Sequence, residues 1–478
     1  MASSTGIKRY GLKSKCLSFP ETLSQSVANI SPTLTPVVIV PLVFASAGNG
    51  TWLSYLFATI GLILVGMNIN QFAKRSASPG SLYSYIGHGL GAPAGFLAGW
   101  CLLVAYLFTG MAVLSGAVNY AVILLAMLGI HAWPSVLYTL GVLIAWYVAY
   151  RDVKLSTKVM LLFEAVSMLL ILVLGAVVLI HRGTAVDPRQ FDLAAMDFSG
   201  VKAGLILAIF SYVGYESATT LGEEARNPLR NIPRAVIMSA AISGIFFMIT
   251  SYIAVIGFRG LKTSLGASSA PFNDLADSVG MAWFGVLISV GAVISLFACT
   301  LASINAGSRI LFAMGRHGIF HSHLCKAHTT NQTPHFAATF ASILVLAGPL
   351  VLLSAHLAVL DIFNDLSTIA TFGFLIVYVL ISVAAPVYLK RLGKLTASSI
   401  ALSVVSVLFM IPPIVATVYP MPTPPADKFP YYFIAYVLVG VLWFTVLRKS
   451  SNQGVMDEIA ADLDFSTIPL GEQAHGAP

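Results

Sequence analysis

The residues in this sequence that could do chemistry are few, and the clearest are carboxylates inside apolar runs. Glu164 lies within Met160-Leu161-Leu162-Phe163-Glu164-Ala165-Val166-Ser167-Met168. An ionisable side chain at such depth is a functional candidate by default: it can take up and release a proton, or be a structural tie held by hydroxyls or a snorkelling lysine. Glu216 sits in Phe210-Ser211-Tyr212-Val213-Gly214-Tyr215-Glu216-Ser217 and reads equally as a substrate-side or gating group and as a cap for a helix end. Asp361 and Asp365 open an apolar run, where the helix dipole favours an acidic residue. His317, His321, His323, His328 and His335 cluster in one stretch without Cys or Glu at zinc-type spacing, so a solvated polar loop is the better reading and no metal is expected. The sequence has no phosphate-cradling lysine loop, no His-Glu-x-x-His pair and no Gly-x-Ser-x-Gly elbow, so an enzyme, or a resident cofactor, has no motif to stand on.

The elements that must position these residues follow from composition. Of 478 residues 57% are hydrophobic and 9% charged, against about 25% charged in soluble chains. So much apolar surface needs lipid as solvent, and in lipid only helices and closed barrels satisfy their own backbone. The apolar runs are helix length, at 24–46, 52–72, 92–120, 133–150, 156–180, 201–221, 233–257, 281–312, 336–354, 362–387, 396–418 and 430–447. With twelve spans both termini share a side, and there the Lys/Arg residues should gather. Of the 26, only Arg182, Arg189, Lys202, Arg259, Lys262 and Lys428 fall opposite. The net charge of +7 is thereby explained as topology, with both termini cytoplasmic, and no basic face for nucleic acid remains. Cys16, Cys101, Cys299 and Cys325 lie inside or within spans and read as packing residues. Residues 1–22 read as a polar cytoplasmic segment without a cleavable signal, 23–448 as one membrane domain, and 449–478 as a disordered cytoplasmic tail.

Two spans carry signs of a break. The first contains Asn29-Ile30-Ser31-Pro32-Thr33-Leu34-Thr35-Pro36, whose prolines each remove a backbone donor and clash with the preceding turn. The sixth carries the polar patch around Gly214. Broken helices in a bilayer persist where the freed backbone lines a cavity. Proline and glycine also serve merely to kink or pack membrane helices. The two breaks are five helices apart, the spacing expected of inverted repeats (about 24–180 and 201–387, with extra helices at 396–447) that bind a solute at the midplane.

These residues resemble the amino acid–polyamine–organocation superfamily of permeases. The resemblance spans about residues 20–448 and is most specific in Gly214-Tyr215-Glu216-Ser217-Ala218-Thr219-Thr220-Leu221-Gly222-Glu223-Glu224-Ala225-Arg226-Asn227-Pro228, continuing through Asn231-Ile232-Pro233-Arg234-Ala235. Pro79-Gly80-Ser81-Leu82-Tyr83-Ser84-Tyr85, Gly95-Phe96-Leu97-Ala98-Gly99-Trp100 and Asn305-Ala306-Gly307-Ser308-Arg309-Ile310-Leu311-Phe312-Ala313-Met314-Gly315-Arg316 support it. The resemblance implies an all-α transmembrane fold of 12 helices, a five-plus-five inverted repeat (LeuT-like) with two C-terminal helices, and alternating access in the cell membrane. By the same analogy Ser31, Pro32, Thr33, Phe210, Ser211, Tyr212 and Gly214 line a substrate site, Tyr106 and Thr109 are added by depth alone, and Arg309 belongs to an inner gate.

Two departures bear on substrate and coupling. Many members with amino acid substrates have a glycine-rich first break whose N–H groups meet the carboxylate, whereas Ser31-Pro32-Thr33 stands here and Pro32 donates nothing. The Thr33 and Leu34 amides and the Ser31 and Thr33 hydroxyls are left for that task, and an amine without a carboxylate becomes more plausible. Some proton-coupled relatives carry a lysine in the fifth helix, near Ser167 here, which leaves Glu164, one turn earlier, as the expected proton site. The leading expectation is uptake of an amino acid, coupled to protons with sodium as the other possible ion. An amine, polyamine or amino-acid exchanger is the alternative, and a non-transporting amino-acid sensor follows. The substrate's identity, the direction of flux and the oligomeric state are not legible.

Overall fold

The computed structural model describes residues 11–127, 129–183, 185–268, 270–419 and 424–450. Lys8 and Arg9 of the basic count, and the expected tail beyond Ser450, lie outside the described residues. The described residues form fifteen α-helices: α1 (Phe19–Ile30), α2 (Val40–Ala47), α3 (Thr51–Ala73), α4 (Ser81–Leu90), α5 (Ala92–Met127), α6 (Pro134–Arg151), α7 (Val153–Arg182), α8 (Phe198–Phe210), α9 (Pro228–Gly257), α10 (Pro271–Ser278), α11 (Ala282–Arg316), α12 (His335–Ser354), α13 (Val359–Arg391), α14 (Ala397–Ala416) and α15 (Phe429–Ser450). Among the described residues the one β contact is an isolated bridge between Leu17 and Ala225.

Among the described residues nine segments are long and apolar enough to cross a membrane, at about 20 residues per crossing. One of them, Phe19–Ala73, runs through the first two expected spans. The fourth expected span is the 18-residue α6 and the sixth begins as the 13-residue α8, both outside that set of nine. Helix α1 starts at Phe19 rather than at residue 24. The Ser18 N–H and hydroxyl both donate to the Glu21 carboxylate (2.7 and 2.8 Å), and Pro20 suits a first helical turn. Helices α4 and α10 were not expected. At 10 and 8 residues they are too short to register as apolar spans, although the Pro79–Tyr85 motif overlies the start of α4.

The bundle is inside-out relative to a soluble protein. On α7, Leu162, Val166, Leu169 and Val173 are exposed at spacings of four and three, while Met160, Glu164, Ser167, Ile171 and Leu174 are buried. The face that is most apolar and least covered is the one lipid would wet. Helix α5 lies along both α13 and α11, and α3 lies along α9. Small residues permit the close approach: a Cβ on Gly373 would meet the Cys101 carbonyl, and one on Gly244 would collide with Thr59.

At the basic end of the bundle, residues 11–17 form an ordered strap. The Lys15 and Leu17 amides donate to the Glu223 and Glu224 carbonyls (3.1 and 3.0 Å), and the Arg226 amide donates back to Leu17 (2.8 Å). Lys13 pairs with Asp152 at 3.1 Å, and Leu17 is buried with Val153 and Leu221. All four cysteines are free. Burial, reinforced by the Glu224 carboxylate, pushes the Cys16 thiol up to about 11, which fits a packing role.

Candidate functional site

The first break forms where the sequence places it. Helix α1 stops at Ile30, and Ser31 takes a left-handed conformation (φ 50°, ψ 69°) that a non-glycine residue adopts at some cost. Its amide still donates to the Val27 and Ala28 carbonyls (3.2 and 3.0 Å). Pro32 and Thr33 turn, and the chain resumes through a π-helical stretch, Thr35–Ile39, into α2. The Leu34 amide closes this turn onto the Ser31 carbonyl at 3.0 Å. It is therefore engaged, and of the two hydroxyls expected to meet an anion that of Ser31 is held by Ser295 while that of Thr33 is buried with no hydrogen-bond partner.

The second break follows α8. Beyond Phe210 the chain runs through turns to a 3₁₀ segment, Ser217–Leu221. Gly214 (φ +84°) sits at its centre, and a Cβ there would collide with the Asn29 side-chain amide. A glycine is thus required both by the backbone conformation and by the closeness of the first break. Further bonds clamp the two regions together. Ser217 Oγ donates to the Gln25 carbonyl (3.1 Å), and the Ala218 amide donates to Ser26 Oγ (2.9 Å).

Glu216 stands at the N-cap position of the 3₁₀ segment, but its side chain makes no capping bond. Its Oε1 accepts from the Tyr106 hydroxyl of α5 (2.7 Å) and its Oε2 from the Tyr378 hydroxyl of α13 (2.6 Å). Tyr378 in turn accepts the Gly214 N–H (3.1 Å). One carboxylate thereby ties the second break to two other helices. Tyr378 was not among the sequence candidates, because a single tyrosine in the apolar run of α13 carries no signal of its own.

Glu164 is 3% exposed and has a different neighbourhood. Ser295 Oγ of α11 lies 3.0 Å from each of its oxygens, and the same hydroxyl lies 3.1 Å from Ser31 Oγ. The carboxylate is thus one hydroxyl away from the first break. No lysine or arginine forms an ion pair with it among the described residues. Ser167 faces the same helix but is engaged with the Phe163 and Gly291 carbonyls (2.7 and 2.9 Å). Helix α11 also holds the end of α1, since Ser303 Oγ donates to Asn29 Oδ1 (3.0 Å) and Cys299 Sγ to the Asn29 carbonyl (3.2 Å). Asn29 Nδ2 and the Thr33 and Thr35 hydroxyls remain buried without partners. Each such group costs about 1–3 kcal/mol, so the break is the place where a solute or water would be stabilised.

The other sequence candidates are distributed as follows. Ser211 is buried and Phe210 half-buried beside the second break. Thr109 is buried on α5 one turn beyond Tyr106. The Tyr212 hydroxyl is held by Thr59 (2.7 Å), and its ring meets Phe247 edge-on, which places it in the seam of α3 and α9. Arg309 stands apart from both breaks. It is 1% exposed, its Nε and Nη2 grip the two oxygens of Glu224 (2.7 and 2.6 Å), and its Nη1 donates to the Asn305 carbonyl (2.8 Å). Glu224 is also the residue whose carbonyl receives the Leu17 amide. The histidines pair off, His321 with His323 and His328 with His335, and among the described residues no group of three His, Cys, Asp or Glu could hold a metal.

With that geometry in hand, similarity to known proteins is informative. The amino acid permease family model matches residues 22–454. A branched-chain amino acid permease of Bacillus subtilis is 28% identical over 366 residues, covering 72% of this chain and 75% of its own. A methylthioribose transporter of the same organism is 26% identical over 369 residues, covering 74% and 76%. The human cationic amino acid transporter 4 is 26% identical over 361 residues, 70% of this chain and 54% of that protein. These relatives are permeases and transporters, not enzymes, and the apolar helices make the present protein a multi-pass membrane protein. The match takes in both breaks, Glu164, Glu216 and Arg309, and the chain belongs to the amino acid permease family.

Proposed function

We propose that this protein is a secondary transporter that moves an amino acid across the cell membrane by alternating access, coupled to protons. Twelve helices cross the membrane with both termini inside. Spans one to five and six to ten are inverted repeats, and the first span of each is opened at the midplane. The observation that carries the proposal is the chain from Ser31 through the Ser295 hydroxyl to Glu164, with links of 3.1 and 3.0 Å. A carboxyl partnered only by a hydroxyl that also touches the broken helix would change its contacts when it is protonated, so proton occupancy and the shape of the first break are linked.

The polar residues Ser31, Thr33, Ser211 and Glu216 of the two breaks are buried, as expected of a closed site. The Arg309–Glu224 pair and the strap of residues 11–17 close the basic end and act as the inner gate. Release of substrate inward requires these contacts to part, and the buried guanidinium–carboxylate pair is then hydrated as it opens.

Substrate class is inferred from the family and from the donors at the first break. An amine exchanger is the second reading, favoured by the Leu34 amide, which is spent on the Ser31 carbonyl and leaves fewer donors for a carboxylate. The test is uptake of a mixed panel of labelled amino acids and amines into proteoliposomes, with and without an inward proton gradient. Accumulation of an amino acid that requires the gradient supports the proposal. Uptake indifferent to the gradient but accelerated by internal substrate makes the protein an exchanger, and ligand binding without flux makes it a sensor.

A further inference from the structure

A cavity of about 510 Å³ opens between the end of α3 and the start of α9 and is lined by no residue of either break. Its lining is Asn70 from α3 and Lys74 just past its end, with Arg230, Pro233 and Arg234 from α9, over a floor that includes Ile237. The three cations are exposed, and none forms an ion pair with an acidic side chain among the described residues. Asn70 is only 7% exposed. Its Nδ2 donates to the Pro233 carbonyl at 2.9 Å, which fixes the orientation of the amide and leaves Oδ1 buried with no donor. The cavity therefore presents three positive charges for an anion and one orphan acceptor that requires a hydroxyl or amine.

The surfaces leading away from it are apolar and uncovered. On α3, Ile60 and Met67 are exposed, and with Lys74 they recur every seventh residue along one stripe. On α9, Met238, Ile245 and Ile249 are exposed along another stripe that starts at the cavity wall. Helix α3 lies along α9, so the two stripes border a single seam that ends at the cations. A soluble anion would use the charges and ignore the stripes.

We infer that this cavity binds the headgroup of an anionic glycerophospholipid, with the phosphodiester held by Lys74, Arg230 and Arg234, a headgroup hydroxyl donated to Asn70 Oδ1, and the acyl chains lying along the α3–α9 seam. Basic pockets between helices at a membrane surface suit such headgroups. A phosphatidylglycerol headgroup meets every requirement. Phosphatidylcholine has no N–H or O–H to give Asn70, and phosphatidylethanolamine brings its ammonium against three cations. The seam also borders the second break: a Cβ on Gly66 would touch both Ile237 and Tyr215, and Ser239 Oγ donates to the Tyr215 carbonyl at 3.0 Å. The bound lipid thus braces the helix pair against which the second break rests. The inference depends on membrane residence and not on the identity of the transported solute.

The test is native mass spectrometry and thermal unfolding of the delipidated full chain, with phosphatidylglycerol, phosphatidylethanolamine, phosphatidylcholine or glycerol 1-phosphate added separately. Phosphatidylglycerol is expected to be retained at least tenfold more tightly than phosphatidylcholine and to raise the unfolding temperature. The Arg230→Gln/Arg234→Gln double variant should reduce both effects to the phosphatidylcholine level. Asn70→Ala should weaken phosphatidylglycerol several-fold and leave phosphatidylcholine, whose headgroup has no donor for Oδ1, unaffected. A Lys390→Gln/Arg391→Gln variant at the end of α13 is the control and should behave as wild type. Equal retention of all lipids, equal stabilisation by glycerol 1-phosphate, or undiminished phosphatidylglycerol binding in both cavity variants would overturn the inference.

Discussion

Glu224 and Glu164 are both almost completely buried, and they are held in opposite ways. Glu224 has a guanidinium across both oxygens, and that guanidinium is itself satisfied by a backbone carbonyl. Glu164 has one serine hydroxyl, shared with a broken helix. A bidentate ion pair fixes geometry and charge together. A carboxyl with only a hydroxyl beside it has its geometry fixed and its charge left open. The first arrangement suits a latch that opens or stays shut, and the second suits a group whose proton comes and goes.

The largest effect should come from breaking the fixed pair. Arg309→Ala or Glu224→Ala alone leaves a buried charge without its partner, a loss of about 3–5 kcal/mol. Thermal unfolding in lipid should show it, and the Arg309→Met/Glu224→Met double variant should be less destabilised than either single alanine variant. If the singles cost nothing, the pair is not the latch described here. Gly214→Ala should come next. The left-handed conformation and the Asn29 amide both exclude a methyl group, at about 1–3 kcal/mol for the backbone strain alone. Uptake should be abolished while the protein remains in the membrane.

A smaller effect, about 1–3 kcal/mol, is expected for Tyr378→Phe, which strands both the Gly214 N–H and one Glu216 oxygen. Because Tyr106 still holds the other oxygen, transport should fall without vanishing. A Tyr106→Phe/Tyr378→Phe double variant losing more than the sum of the singles would show that Glu216 acts as a joint between helices. Strict additivity in initial uptake rates would count against it.

How much of this was legible in the sequence depended on whether a signal was local. Pro32 and Pro36 announce the first break because proline acts on its own turn, and the apolar run around Glu164 marks it as lying at membrane depth. Gly214 is suggestive in sequence, but its cause, the Asn29 amide pressed against it, comes from a residue 185 positions away and is visible only in three dimensions. Ser295 and Tyr378 were missed for the same reason. Each is an ordinary residue of a long apolar helix, and its role comes from what α7 and the second break bring to it. Glu224 stood within the most specific motif and Arg309 within another, yet nothing in either spacing joins them. The short helices α4 and α10 escaped because a reading tuned to membrane-spanning length passes over 8 to 10 residues.

The most direct test of the account is proton movement itself. Proteoliposomes containing a pH-sensitive dye and either wild type or Glu164→Gln should be given external substrate without an imposed gradient. Wild type should acidify the lumen as substrate enters. Glu164→Gln, unchanged in unfolding temperature, should still exchange internal for external substrate but move no protons. Acidification by the variant at the wild-type rate would contradict the assignment of Glu164 as the coupling site.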